Sequence, residues 1–310
     1  MSDCDRDFHH LPVLLSECME GLGIKPDGVY IDATAGGAGH SVPIAERLTT
    51  GKLFALDQDP DAVKAASERL KPYPNAQVIQ TNFSQMAQAV SEPVDGILMD
   101  LGVSSFQLDT PERGFSYQHD GPLDMRMSKS GRSAGELINT ASVQELTRIL
   151  QVYGEERFAF AIAKGIEKAR ADKPVETTFE LCGIVTAAVP AKVRRAKNPC
   201  KKTFQAIRIA VNGELDVLES GLGQAFGLLK PGGRLAVITF HSLEDRLVKQ
   251  MFAGWCKGCV CPPDFPVCVC ENNPQASLVY KKAVTASDSE LEKNHRSHSA
   301  KLRVIQKEYE

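Results

Sequence analysis

Three short apolar runs in the first hundred residues each end in an aspartate, and this repetition limits the fold more than any other feature. Val29-Tyr30-Ile31 stops at Asp32, Leu53 to Leu56 at Asp57, and Val94 to Met99 at Asp100. Helical patterns lie between them. Ile44 and Leu48 share one face, and Ala62, Val63, Ala66 and Leu70 recur at helical spacing. Gln77 to Gln80 add another strand. Strands alternating with helices of this length predict an α/β fold, a parallel sheet with helices on both faces.

The rhythm changes from about Phe106 to Asn212, where helical signals dominate. Ser142 with Glu145, and Thr177 with Glu180, have capping-box spacing, and Glu155 to Ala171 carries Phe158, Ile162 and Ile166 on one side. The sheet then resumes. Lys230-Pro231-Gly232-Gly233 reads as a turn, Leu235 to Phe240 as a strongly apolar strand, residues 286–293 as a polar loop, and Leu302 to Ile305 as the last strand. The expected organisation is a Rossmann-like domain of residues 1–105 and 213–310, interrupted by a mostly helical substrate-recognition domain of residues 106–212.

Open α/β sheets bind ligands at the carboxyl ends of their strands, where Asp32, Asp57 and Asp100 fall. The turn after the first strand reads Gly36-Gly37-Ala38-Gly39-His40-Ser41, which is not the G-x-G-x-x-G of a dinucleotide site. Such a turn lets backbone amides approach an anion, and Asp57 stands where a carboxylate would grip ribose hydroxyls. With the helix start Asp59-Pro60-Asp61-Ala62 and the Pro-Gly-Gly turn, these features resemble a class I methyltransferase that uses S-adenosyl-L-methionine. The plainer alternative makes Asp32 and Asp57 only caps and turn residues. Methyl transfer needs little acid–base work from the protein, because the sulfonium is already activated. Asp100 could orient and polarise an acceptor amine, contact the cofactor, or cap the next helix.

Longer motifs narrow the resemblance. Asp100-Leu-Gly-Val-Ser-Ser-Phe-Gln-Leu-Asp109 is similar to the MraW (RsmH) family. So are Glu112-Arg-Gly-Phe-Ser116, Asp120-Gly-Pro-Leu-Asp-Met-Arg-Met127, Tyr153-Gly-Glu-Glu-Arg157, Thr203-Phe-Gln-Ala-Ile-Arg208 with Val211-Asn212, and Phe240-His-Ser-Leu-Glu-Asp-Arg246. The similarity runs from about His10 to Val304. It implies methylation of the N4 amine of a cytosine in the decoding region of small-subunit (16S) ribosomal RNA. It further implies that Ala38, Gly39 and His40 hold the methionine end of the cofactor and Asp57 the ribose, that Phe83 lies on the adenine, and that Asp100 and Gln107 complete the pocket, with Asp32 and Gly36 beside them. The family usually has glycine where this chain has Ala38, which costs energy if that position needs a positive φ.

The net charge of −3 gives no hint of a nucleic-acid partner, so any footprint must be local. Lys192 to Arg208 supplies one. It holds Lys192, Arg194, Arg195, Lys197, Lys201, Lys202 and Arg208 and no acidic residue, which suits phosphate contacts or simply a solvated loop. His295, Arg296, His298 and Lys301 extend the basic character. Arg194, Arg195, Lys201, Lys202, Arg208, Asn212 and His241 are the expected substrate-binding residues, His241 having a structural alternative. Phe106, Phe115 and Tyr117 are candidate base stackers or core aromatics. Two other readings stand beside this one: a methyltransferase for another acceptor, and a ribosome-assembly factor that binds RNA without catalysis.

Nine cysteines without an apolar signal segment after Met1 indicate reduced thiols or a metal site rather than disulfides. Cys259, Cys261, Cys268 and Cys270 could close a structural zinc site, although C-x-C is tighter than the usual spacing. No run of about 18 apolar residues occurs, so a cytoplasmic protein without a membrane span is expected. A homodimer is compatible with the sequence but not specified by it.

Overall fold

The computed structural model describes residues 12–196, 198–258, 261, 267, 270 and 272–308. In chain order, the first part runs α1 (Leu15–Leu22), β1 (Val29–Asp32), α2 (Ser41–Arg47), β2 (Lys52–Asp57), α3 (Pro60–Leu70), β3 (Ala76–Gln80), α4 (Met86–Ala89) and β4 (Val94–Asp100). Helices follow: α5 (Ser105–Asp109), α6 (Ala134–Thr140), α7 (Val143–Gly154), α8 (Ala159–Asp172), α9 (Thr178–Ala188), α10 (Ala191–Ala196), α11 (Cys200–Asn212) and α12 (Glu214–Leu228). The last part is β5 (Leu229–Thr239), α13 (Ser242–Trp255), β6 (Ala276–Leu278), α14 (Asp288–Lys293) and β7 (Lys301–Lys307). The chain divides into two compact units, Met1–Gly102 with Leu215–Glu310, and Val103–Glu214.

The first unit is a sheet of order β3-β2-β1-β4-β5-β7-β6. The strands from β3 to β5 are parallel, and β7 reverses against β5. Alternation along the inner strands builds two apolar layers. Leu98, Ala236 and Ile238 face one, with Tyr30, Leu53 and Leu302. Ile97, Met99, Leu235 and Val237 face the other, with Ile31, Leu56 and Phe252. A strand buried on both faces reads as a continuous apolar run, which is why β4 was legible. Pro60 starts α3 and the Asp59 side chain accepts from the Asp61 amide, an ordinary helix start.

Two sequence expectations for this unit need correction. The predicted turn Lys230–Gly233 is an irregularity inside β5. Val94 pairs with Leu229 and Gly96 with Arg234, so β4 holds the strand on both sides of the extra residues. The predicted loop 286–293 contains α14, whose cap is Ser287, accepting from the Glu290 amide. Among the described residues no helix is long and apolar enough to cross a membrane.

The second unit is helical. Ile138, Leu146, Ile149, Leu150, Ile162, Ile166, Leu181, Val185, Phe204 and Ile207 form its core. Thr177 and Glu180 make the reciprocal capping box of α9. The helix expected from Glu155 begins at Ala159 instead, because Glu155 has φ 47° and ends α7.

Candidate active site

The carboxyl ends of β1, β2 and β4 gather one titratable constellation. Asp32 is spent on the turn itself. Its Oδ2 accepts from Ser41 Oγ at 2.5 Å, its Oδ1 from the Thr34 amide at 3.2 Å, and it is 1% exposed. The structure therefore assigns its carboxylate to holding the loop, with no acceptor turned to solvent. Thr34 Oγ1 in turn accepts from the Asp100 amide at 2.7 Å, tying the ends of β1 and β4 together.

Asp57 is built differently. Its Oδ2 accepts from the Gly36 amide at 2.8 Å and its Oδ1 from the Asp59 amide at 2.9 Å. Burial raises its pKa to about 6 even though both amides pull it down. Each oxygen keeps a lone pair, so the carboxylate can still accept from a vicinal diol. Gly36 reaches it with φ 50°, a conformation that favours glycine. Ala38 also has a positive φ, 61°, and is fully buried. The alanine that departs from the family pattern thus occupies a left-handed position, its amide donating to Ala35 O at 2.6 Å.

Beyond β3, the Asn82 side chain accepts from the Ser84 amide and donates to Gln58 Oε1 at 2.7 Å, which places Phe83 next to the β2 end. A methyl group added at Gly221 of α12 would collide with the Phe83 ring, so ring and helix backbone are in direct contact. An aromatic face held this way could take a purine.

Asp100 ends β4. Its Oδ2 lies 3.7 Å from His40 Nδ1, and its Oδ1 is buried with no hydrogen-bond partner. A quarter of the side chain remains exposed. Burial raises its pKa to about 6; His40 lowers it, while Asp32 and Glu244 raise it. His40 is 5% exposed, and its Nε2 donates to Val13 O at 2.9 Å.

The remaining expected residues fall into other settings. Gln107 lies in the helical unit, where its Oε1 accepts from the Ser104 amide in the capping box of α5. His241 caps α13: its Nδ1 accepts from the Glu244 amide, and Glu244 Oε2 accepts from the amides of Phe240 and His241. The structural alternative for His241 is thus the one its geometry fits. Arg208 forms a two-pronged pair with Glu214 at 2.7 and 2.8 Å, mostly buried, which takes it out of the solvent where phosphates would be met. Asn212 is spent on the fold too. Its Oδ1 accepts from the Met127 amide and its Nδ2 donates to Met125 O and Arg208 O. Phe115 is core, and Tyr117 packs edge-on to Phe204 at 5.7 Å.

Lys192, Arg194, Arg195, Lys201 and Lys202 are exposed, Lys202 also donating to Glu155 O. Lys197 lies outside the described residues, as do Cys259 and Cys268 of the proposed zinc set; Cys261 and Cys270 are partly buried. Sequence reasoning missed Val13 as the anchor of His40 and Glu244 as a buried acid. The second had a signal: His241-x-x-Glu244 has capping-box spacing with histidine in the place of serine or threonine.

The chain is similar in sequence to known proteins over nearly its whole length. The model of the MraW methylase family matches residues 7–308. A protein of Symbiobacterium thermophilum named ribosomal RNA small subunit methyltransferase H is 52% identical over 97% of this chain and 97% of its own length. One of the same name from Carboxydothermus hydrogenoformans is 52% identical over 97% and 98%. Another, from Finegoldia magna, is 48% identical over 97% and 99%.

Proposed function

The chain belongs to the MraW methylase family, and from that premise we propose that it moves the methyl group of S-adenosyl-L-methionine to the N4 amine of a cytosine in the decoding region of small-subunit ribosomal RNA. The observation that carries the reading is Asp100, whose carboxylate stands at the carboxyl end of β4 with a quarter of its side chain open to solvent. The full-length relatives named small-subunit methyltransferases support the RNA acceptor.

The cofactor, when bound, supplies a methyl group already activated as a sulfonium. The residues present fit it. Asp57 would accept from the ribose hydroxyls, Phe83 would cover the adenine, and the backbone of Ala38, Gly39 and His40 would meet the methionine end. The protein's remaining work is alignment and exclusion of water. An exocyclic amine has its lone pair delocalised into the ring. The Asp100 carboxylate, accepting an N–H from that amine, would turn the nitrogen toward the donor and raise its electron density.

We assign substrate recognition to the helical unit, Val103–Glu214. Lys192, Arg194, Arg195 and Lys201 present their cations to solvent, and Phe160 and Phe179 are exposed rings at 60% and 50%. The assembled small subunit in the cytoplasm is the substrate form we favour. The test combines the protein with labelled S-adenosyl-L-methionine and small subunits lacking the modification, or their naked RNA, followed by mass spectrometry. A new N4-methylcytidine in the decoding region of the subunit is expected. Cofactor binding without transfer to either RNA form would overturn the acceptor.

A further inference from the structure

The peptide that joins Gly37 to Ala38 is held on both edges. Gly36 has φ 50° and Ala38 φ 61°, so a left-handed residue stands on each side of Gly37. For glycine that conformation is ordinary, but in alanine the Cβ crowds the following carbonyl oxygen. Such backbone persists where the surrounding contacts over-determine it. Here two contacts do so from opposite sides of one peptide plane. The Ala38 amide donates to Ala35 O at 2.6 Å, and the Gly37 carbonyl accepts from Arg69 Nη1 at 2.5 Å.

Arg69 lies in the last turn of α3, and its side chain is exposed, so it adds nothing to the apolar core. Its neighbours grip α2 in the same way. Tyr73 Oη donates to Glu46 Oε1 at 2.9 Å, and Asn75 Nδ2 donates to Ala45 O at 3.1 Å and Leu48 O at 3.3 Å. The Glu46 bond pushes the Tyr73 phenol up in pKa and the nearby Arg69 cation draws it down, so these side chains share one surface. Residues 69–75 thus reach the turn, the body and the end of α2, and of these three side chains Arg69 is the one on the turn. The N-cap residue of α2, His40, makes no side-chain cap bond.

We infer that Arg69 is a positioning residue for the cofactor, fixing the Gly37–Ala38 peptide from outside the pocket and with it the left-handed alanine that leads into Gly39 and His40. The inference rests on the proposed reading of Ala38, Gly39 and His40 as the residues that meet the methionine end. A peptide is planar, so its carbonyl and amide turn together. Releasing the Gly37 carbonyl therefore loosens the Ala38 amide from Ala35 O as well. Loss of Arg69 lowers the fraction of molecules whose turn is ready for the cofactor, which weakens binding by that fraction and leaves the transfer step as it was.

Arg69→Met tests this, since it keeps an unbranched stem and removes the donor. In the unliganded protein, amide hydrogen exchange at Ala38 should be about five times faster than in the wild type, with the amides of Ile97 and Leu98 in β4 unchanged. Affinity for S-adenosylhomocysteine should fall about fivefold in calorimetric titration. With small subunits as acceptor, KM for S-adenosyl-L-methionine should rise to match, while kcat stays within about twofold. Lys64→Met removes another exposed cation from α3 and should change none of these. Unchanged exchange at Ala38 in Arg69→Met would overturn the inference, as would an equal loss of affinity in Lys64→Met or a fall in kcat with KM unchanged. If the wild type does not bind S-adenosylhomocysteine, the reading of the turn as a cofactor site fails, while exchange at Ala38 still decides whether Arg69 holds the turn.

Discussion

The amide of Gly36 donates to Asp57 Oδ2 at 2.8 Å, so the turn after β1 and the carboxylate after β2 form one construction. On the proposed reading, the loop that would meet the methionine end of the cofactor also aims the group that would meet its ribose. If Asp57 holds the ribose as proposed, replacing it by alanine removes those contacts and the anchor of the Gly36 amide together. Affinity for S-adenosylhomocysteine should fall by roughly a hundredfold, about 3 kcal/mol, in calorimetric titration. An unchanged affinity would remove Asp57 from the pocket.

The same carboxylate gives a pH dependence whose sign follows from its raised pKa of about 6. Below that value it is protonated and loses acceptor capacity, so cofactor affinity should weaken as pH falls from 7 to 5. For the unliganded fold the sign is opposite. Asp57 holds its proton more tightly folded than unfolded, so its stabilising contribution is complete below about pH 4 and lost as pH rises through 6. Asp57→Asn should therefore melt higher than the wild type at pH 8, by about 1 kcal/mol once the loss of one amide contact is subtracted. Equal melting temperatures would mean that burial does not strain this carboxylate.

Gly221→Ala should separate folding from binding. Alanine favours helix α12, yet its methyl group must displace the Phe83 ring. Helix content should persist while affinity for S-adenosylhomocysteine falls by about tenfold, and Phe83→Ala should show the same loss. If Gly221→Ala binds normally, Phe83 does not contact the adenine.

Arg208 and the exposed cations should behave in opposite ways. Arg208→Ala strands Glu214 in a mostly buried pair and should cost about 2 kcal/mol in chemical unfolding. Arg194→Ala with Arg195→Ala should leave stability within about 0.5 kcal/mol. It should weaken binding to small subunits and flatten the dependence of that binding on salt. A flat response in both measurements would end the assignment of this segment to RNA.

The frame of the molecule was legible because its signals are local. A strand buried on both faces, such as Val94–Asp100, is a run of apolar residues that no neighbour needs to explain. A helix start such as Asp59-Pro60 announces itself in two residues. The strand ends located Asp57 and Asp100 for the same reason. What escaped depends on partners distant in sequence. Nothing about Arg208 in isolation tells a phosphate ligand from half of a buried pair. Nothing about Asn212 tells a base reader from a clamp on the backbone of Met125 and Met127. His40 was expected for its backbone, and only the fold reveals that its ring joins Val13 to Asp100. The irregularity in β5 was hidden likewise, since Pro-Gly-Gly spells a turn and only pairing with β4 on both sides carries it through the sheet.

The helical unit enters at Val103 and leaves at Glu214, so it interrupts the first unit only once. Between Gly102 and Leu215 the chain can therefore change as a cassette. Gly36, Asp57, Phe83 and Gly221 all lie outside that interval, as do Asp100 and His40. If the helical unit recognises the substrate as proposed, lineages could exchange that recognition by rewriting one contiguous stretch of gene, while the residues proposed to hold the cofactor descend unaltered.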